Sequence, residues 1–263
     1  FRSIGFISYF IMAVTAGIYL FRAPIHPFVK AASLFSPAFS YFYADIARNY
    51  CLIALILILL AVCYPKRNEK AVCYGLLLGL LVQADTIAIA AAGMISLMWL
   101  CENLWRSFKE KSPAALWGIV KGIWIPLASL FLWAAQFYQV SDSAAFQMRF
   151  PEGREFLSEI RNYSLWIMER LTGRGQGFCS LMLLLFLILL LALSVRVRSL
   201  WAAAVMFSAY LFEAVFSVIV YQLHIWHFIA LCFALIWTLW VLDAQRKEKG
   251  LTDRAGAGLL FGI

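Results

Sequence analysis

A few acids, bases and histidines interrupt a chain that is otherwise apolar around them. Asp45 and Arg48 stand three residues apart between the apolar runs Ala31–Phe42 and Cys51–Ala61. At that spacing they share one helix face. They form either a structural salt bridge at an interfacial helix end, or a cavity lining in which Arg48 grips a phosphate through two parallel hydrogen bonds. Asp85 breaks a second apolar run after Gln83-Ala84. It suits a cation or sugar hydroxyl, a base, or the N-cap of the helix that follows. Glu213 interrupts Ala202–Val220 about two turns from its end. An acid so placed marks a functional site by default, although a proton or a bond to a neighbouring helix would also satisfy it. His224 and His227 share a face beside Tyr221 and Trp226, fitting either a lipid phosphate or substrate, or an aromatic belt at the membrane boundary. Nothing near them completes a metal site, and no metal ligand is assigned. A divalent cation at Asp85 or Glu213 stays open.

The chain is 64% apolar and only 14% charged, against roughly 25% charged in a soluble domain. Apolar runs of spanning length recur, so the expected fold is all-α, a polytopic transmembrane bundle in one domain over residues 1–263. The net charge of +8 resides in short basic clusters between apolar runs, which is a topology signal and excludes a nucleic-acid partner. Six cysteines without CxxC spacing read as small packing residues. The chain begins on Phe1 and ends on Leu259-Leu260-Phe261-Gly262-Ile263, so it reads as a fragment. Glycine-rich phosphate loops, Gly-x-Ser-x-Gly elbows and His-Glu-x-x-His motifs are absent from it.

The elements that must position these residues follow from the apolar runs. Spans are expected at Gly5–Phe21, Ala31–Tyr43, Asn49–Tyr64, Ala71–Val82, Ile87–Leu100, Ala114–Tyr138, Phe178–Val195, Leu200–Tyr221 and His224–Leu242, about nine in all, with short broken pairs around Asp45 and Asp85. Those two pairs share the order short helix, acidic break, helix, basic loop, a hint of an internal repeat. Cys101–Lys111 is expected as a basic loop and Asp243–Arg254 as a charged tail. If Ala71–Leu100 is two spans, the clusters Arg22/Lys30, Lys66/Arg67/Lys70, Arg106/Lys109/Lys111, Arg196/Arg198 and Arg246/Lys247/Lys249 share one side. That side is cytoplasmic by the positive-inside rule. The other side receives both acidic breaks, the Tyr221–His227 turn and the insertion 140–176, which carries five Arg and five acids. Within it Phe156, Ile160, Tyr163, Ile167 and Leu171 recur at helical spacing, predicting an amphipathic helix lying in the outer membrane interface, with Tyr163 and Trp166 against lipid.

Tyr43 followed by Ala47-Arg48-Asn49-Tyr50-Cys51-Leu52 resembles the Glu-Ala-Arg-x-Tyr-x-Leu element that opens a helix in GT-C-type membrane glycosyltransferases. The basic turn after it, the broken helix pair and the late polar–aromatic turn follow the same order. The likeness covers residues 20 to 105 and the rest by layout; Ile46 replaces the motif's Glu, and the acid stands one position earlier at Asp45. The resemblance implies an integral membrane enzyme of a bacterial inner membrane, active on the non-cytoplasmic face, that moves sugar from a polyprenyl-phosphate donor. It implies that Arg48, Tyr50, His224, His227 and Glu213 serve substrate or lipid phosphate. The catalytic base is expected upstream of Phe1, with Asp45 and Asp85 in reserve. A transporter or lipid flippase with broken helices, coupled through Glu213 and Asp85, is the rival. A membrane acyltransferase with His224 or His227 as base is a third reading.

Overall fold

The computed structural model describes residues 2–36, 38–42, 49–138, 150–172, 175–220 and 223–251. All regular structure among them is helical. In chain order the helices are α1 (Arg2–Arg22), α2 (Pro27–Leu34), α3 (Tyr50–Cys63), α4 (Ala71–Ala84), α5 (Ile89–Glu110), α6 (Ala114–Tyr138), α7 (Gly153–Thr172), α8 (Gln176–Arg196), α9 (Leu200–Ile219) and α10 (Ile225–Glu248). A π-helical turn spans Ala38–Phe42, and 3₁₀ turns span Tyr64–Lys66 and Thr86–Ala88.

Among the described residues five helices are long and apolar enough to cross a membrane: α1, α5 with its leading 3₁₀ turn, α6, α9 and α10. The chain is an all-helical integral membrane protein. The expected count of about nine exceeds this: α3 and α4 have 14 residues each, about 21 Å of helix against a hydrocarbon core of about 30 Å, and the apolar stretch of α8, Ser180–Arg196, is also among the shorter ones. The span expected at Ala31–Tyr43 is instead the eight-residue α2 followed by the π turn. Pro27 occupies the first turn, where its missing N–H costs nothing, and His26 caps it by accepting from the Phe28 N–H at 3.2 Å. Lys30 Nζ donates to the Leu20 carbonyl at 3.0 Å, closing the end of α1.

The polar residues sort to two ends of the bundle. At one end Arg67, just before α4, donates to Glu102 near the end of α5 through Nε at 3.1 Å and Nη2 at 3.0 Å, and Nη1 meets Glu248 of α10 at 3.1 Å. Tyr64 donates to Glu102 at 2.9 Å, Gln245 donates to Tyr64 Oη at 2.7 Å, and the Arg67 guanidinium lies 3.8 Å from the Tyr64 ring centre. Trp99 Nε1 donates to Asn68 at 2.8 Å. These contacts bring the beginning of α4 beside the end of α5, so the chain reverses at Asp85, as the topology count required. Lys249 Nζ donates to the carbonyls of Val197 and Arg198 at 3.0 and 2.9 Å, joining α10 to the turn between α8 and α9. Partial burial lowers the Lys249 ammonium below its ordinary value, against the raising pull of Glu102 and Glu248.

Two segments expected as solvent-facing chain are helix. Cys101–Glu110 continues α5, and Asp243–Glu248 continues α10 with Asp243, Gln245 and Arg246 buried. Asp243 pairs with Arg246 at 2.9 Å and Lys247 at 2.8 Å, and basic residues suit a helix C-terminus. The described charges there are matched within the fold, which is why they do not form a tail.

In a membrane, helices associate by close packing of small residues, since lipid is as apolar as a leucine core. Gly75 and Gly79 stand four apart on α4 and face α6, where Gly118 and Gly122 have the same spacing. A Cβ on Gly75 would collide with the Gly122 carbonyl, and one on Gly122 with the Ala71 carbonyl and the Trp99 ring. Pro126 lies within α6. The helix α7 forms as the spacing predicted, but Tyr163 and Ile167 of its apolar face are buried against protein. Ser164 bonds the Tyr210 hydroxyl of α9. A stripe of apolar residues meets lipid and a neighbouring helix equally well, and here the neighbours are α8 and α9.

Candidate functional site

The second polar end is built where α3, α4, α5 and α10 begin or stop. Asn49, at the entry of α3, donates its side-chain amide to the Ala84 carbonyl at the close of α4, satisfying a group that a helix end leaves without a partner. Asp85 is extended (φ −166°, ψ 154°), and its Oδ1 accepts from the Ile87 N–H at 3.2 Å. It is an N-cap, one of the roles its position allowed. Behind it Trp133 Nε1 of α6 donates to Thr86 Oγ1 at 3.3 Å, and Gln83 donates to the Ser129 carbonyl at 2.7 Å.

Tyr50 opens α3 and is 2% exposed; His227, in the first turn of α10, is 3% exposed. The Tyr50 hydroxyl lies 3.0 Å from His227 Nε2, with the rings edge to face at 5.5 Å. His227 Nδ1 accepts from the His224 N–H at 3.0 Å. Nδ1 also lies 3.3 Å from the His224 carbonyl, so the first turn of α10 and Tyr50 together hold both nitrogens of the ring. His224 is exposed, its ring stacked 6.1 Å from that of His227. The two histidines therefore differ in burial: His227 is enclosed, and His224 is exposed.

No family model matches this chain, and neither a curated protein nor a solved structure matches it.

Tyr50, His224 and His227 come together. Asp45 and Arg48 lie outside the described residues; the described chain resumes at Asn49, directly after Arg48. Among the described residues no cluster of three or more His, Cys, Asp or Glu side chains has the arrangement of a metal site. Asn49 was not among the candidates, although an amide beside apolar Cys51-Leu52 is itself a signal. The Arg67–Glu102 network gave no sequence signal, because its members are 35 residues apart.

Glu213 lies deeper, six residues before the end of α9. It is fully buried, and neither carboxyl oxygen has a hydrogen-bond partner among the described residues. Its seat is apolar, formed by Ile53 and Leu57 of α3, Ala91 of α5, and Ala230, Leu231 and Ala234 of α10, around a void of about 10 Å³. That is room for about one water. Among the described residues Asp85 acts on it electrostatically. A buried polar group without partners costs stability. Glu213→Leu is therefore expected to melt no lower than the native protein, and to gain roughly 1–3 kcal/mol, measured by thermal unfolding in detergent. A lowered melting temperature would assign Glu213 a structural partner.

Proposed function

We propose that this chain is a membrane-embedded glycosyltransferase of the GT-C type, moving a sugar from a polyprenyl-phosphate donor to an acceptor at the end of the bundle opposite the basic loops. The observation that carries this is the Tyr50–His227 hydrogen bond. It links the segment that follows Arg48 to the histidine turn, 177 residues away, so Tyr50 and His227, two of the residues that the motif likeness marks, share one locus. By the positive-inside rule that locus is non-cytoplasmic, in keeping with a bacterial inner-membrane enzyme. In this reading α8, and α3 and α4 with the bilayer thinned around them, cross beside the five long helices, and a crossing that begins with α2 makes nine.

The acceptor hydroxyl attacks the anomeric carbon, the bond from that carbon to the phosphate oxygen breaks, and the lipid phosphate departs with the electron pair. A carboxylate takes the hydroxyl proton; within this chain Asp45 is the candidate, whereas Asp85 already spends an oxygen as a cap. Arg48 neutralises the departing phosphate by charge-assisted hydrogen bonds, and exposed His224 assists. His227 holds Tyr50 in place. Arg48→Ala is expected to lower transfer from a defined polyprenyl-phosphate sugar at least 100-fold, on the scale of losing one preorganised donor, with the melting profile unchanged. Native turnover in that variant, measured by release of polyprenyl phosphate, would overturn the phosphate role.

Glu213 favours a second reading, a transporter or lipid flippase, because a partnerless acid inside a spanning helix is the usual coupling site of such proteins. Proteoliposome flux or lipid scrambling that Glu213→Gln abolishes would support it over the transferase.

A further inference from the structure

The basic end contains a second site, independent of the one above. A cavity of about 1080 Å³ opens between the last turns of α5 and α10 and the start of α9. Its inner wall is the buried Arg67 network, in which Glu102 and Glu248 are matched. Around its mouth stand Arg106, Lys109 and Arg198, all exposed and with no carboxylate partner among the described residues. Arg198 occupies the left-handed region (φ 54°), and its carbonyl is bound by Lys249, so the turn that presents its guanidinium is fixed. Beside these cations lie Trp105, 69% exposed, Phe108, 79% exposed, and Trp201, 42% exposed. Large aromatic rings and long basic side chains on one rim are what the headgroup layer of a bilayer selects. One exposed acid, Glu110, shares the rim with the three cations, so it is net cationic and apolar together, which suits neither a water-soluble anion nor a neutral lipid.

We infer that this cavity seats the headgroup of an anionic phospholipid, its phosphate held by Arg106, Lys109 and Arg198 and its glycerol and upper acyl region lying on Trp105 and Trp201. The occupant is a lipid because the aromatic side chains extend the site toward the hydrocarbon, where a free phosphate has nothing to contact. Each cation near a membrane surface favours an anionic lipid by roughly fivefold.

The test is native mass spectrometry of the full chain released from vesicles of equal phosphatidylglycerol and phosphatidylcholine. The native protein is expected to retain phosphatidylglycerol at least fivefold over phosphatidylcholine. The triple variant Arg106→Gln, Lys109→Gln, Arg198→Gln is expected to lose that preference at an unchanged melting temperature. Lys66→Gln with Lys70→Gln, which removes two cations of the same face outside the cavity, is expected to keep it. Trp105→Ala with Trp201→Ala is expected to weaken retention without altering charge, and decides the matter should the triple variant not fold. Equal retention by native protein and triple variant, equal loss in the Lys66/Lys70 variant, unchanged retention in the tryptophan variant, or displacement of the lipid by millimolar inorganic phosphate would each overturn the assignment.

Discussion

Gly75→Leu is expected to abolish the folded protein. The added side chain would project at the Gly122 carbonyl, and a backbone atom in a helix cannot rotate away as a side chain can. Overpacking a close contact costs typically 1–3 kcal/mol and sometimes more; with backbone opposing on both sides, the upper end applies. The α4–α6 pair also positions Trp133 behind Thr86, so its loss would reach the polar end of the bundle. Size-exclusion profile and thermal unfolding in detergent are the readouts. Gly79→Ala should cost less, since Ser129 Oγ and Ile125 Cγ2 are its nearest neighbours, and Gly118→Ala should be harmless, with nothing within 4 Å. A Gly75→Leu protein as stable as Gly118→Ala would disprove the close approach of these helices.

Arg67→Ala is the second large effect, expected to cost about 3 kcal/mol. The guanidinium is almost fully buried, and it joins Glu102 of α5 to Glu248 of α10. Its removal leaves Glu102, whose side chain is only 19% exposed, with the Tyr64 hydroxyl and the Gln245 amide as donors but without a counter-charge. Partial exposure of Glu102 and the 45% exposure of Glu248 keep the loss at the lower end for a buried pair. Arg67→Lys should recover only part of it, because an ammonium cannot reproduce the forked geometry. Arg67→Met with Glu102→Met should recover most of it, and a double-mutant cycle isolates the coupling. Strictly additive losses in that cycle would show that the two side chains do not act as a pair.

The sequence made the apolar runs legible because a membrane imposes a length and a composition on whatever crosses it. The reversal at Asp85 was legible too, since a single helix from Ala71 to Leu100 would have separated the basic clusters. The far end of α10 was not. Asp243 to Glu248 looks like an exposed tail until Arg67, 181 residues from Glu248, supplies a partner. The face of α7 was readable from its spacing, but spacing does not distinguish lipid from a neighbouring helix, and Tyr163 went to the protein. At the candidate site, Tyr50 and His227 each stood out alone; their pairing depends on α3 and α10 lying side by side, which no local pattern encodes. The cap role of Asp85 was visible because its contact is two residues away.

The apolar seat of Glu213 has a consequence for biosynthesis. As α9 leaves the ribosome it presents an acid to the bilayer, at an insertion cost of about 2.5–3.5 kcal/mol near mid-depth. Ile53, Leu57 and Ala91 have by then been synthesised; Ala230, Leu231 and Ala234 have not. The acid therefore meets a half-built recess that α10 later closes. Insertion of α9 thus depends on helices made more than a hundred residues earlier, and a chain translated from α9 onward would lack the surface that receives it.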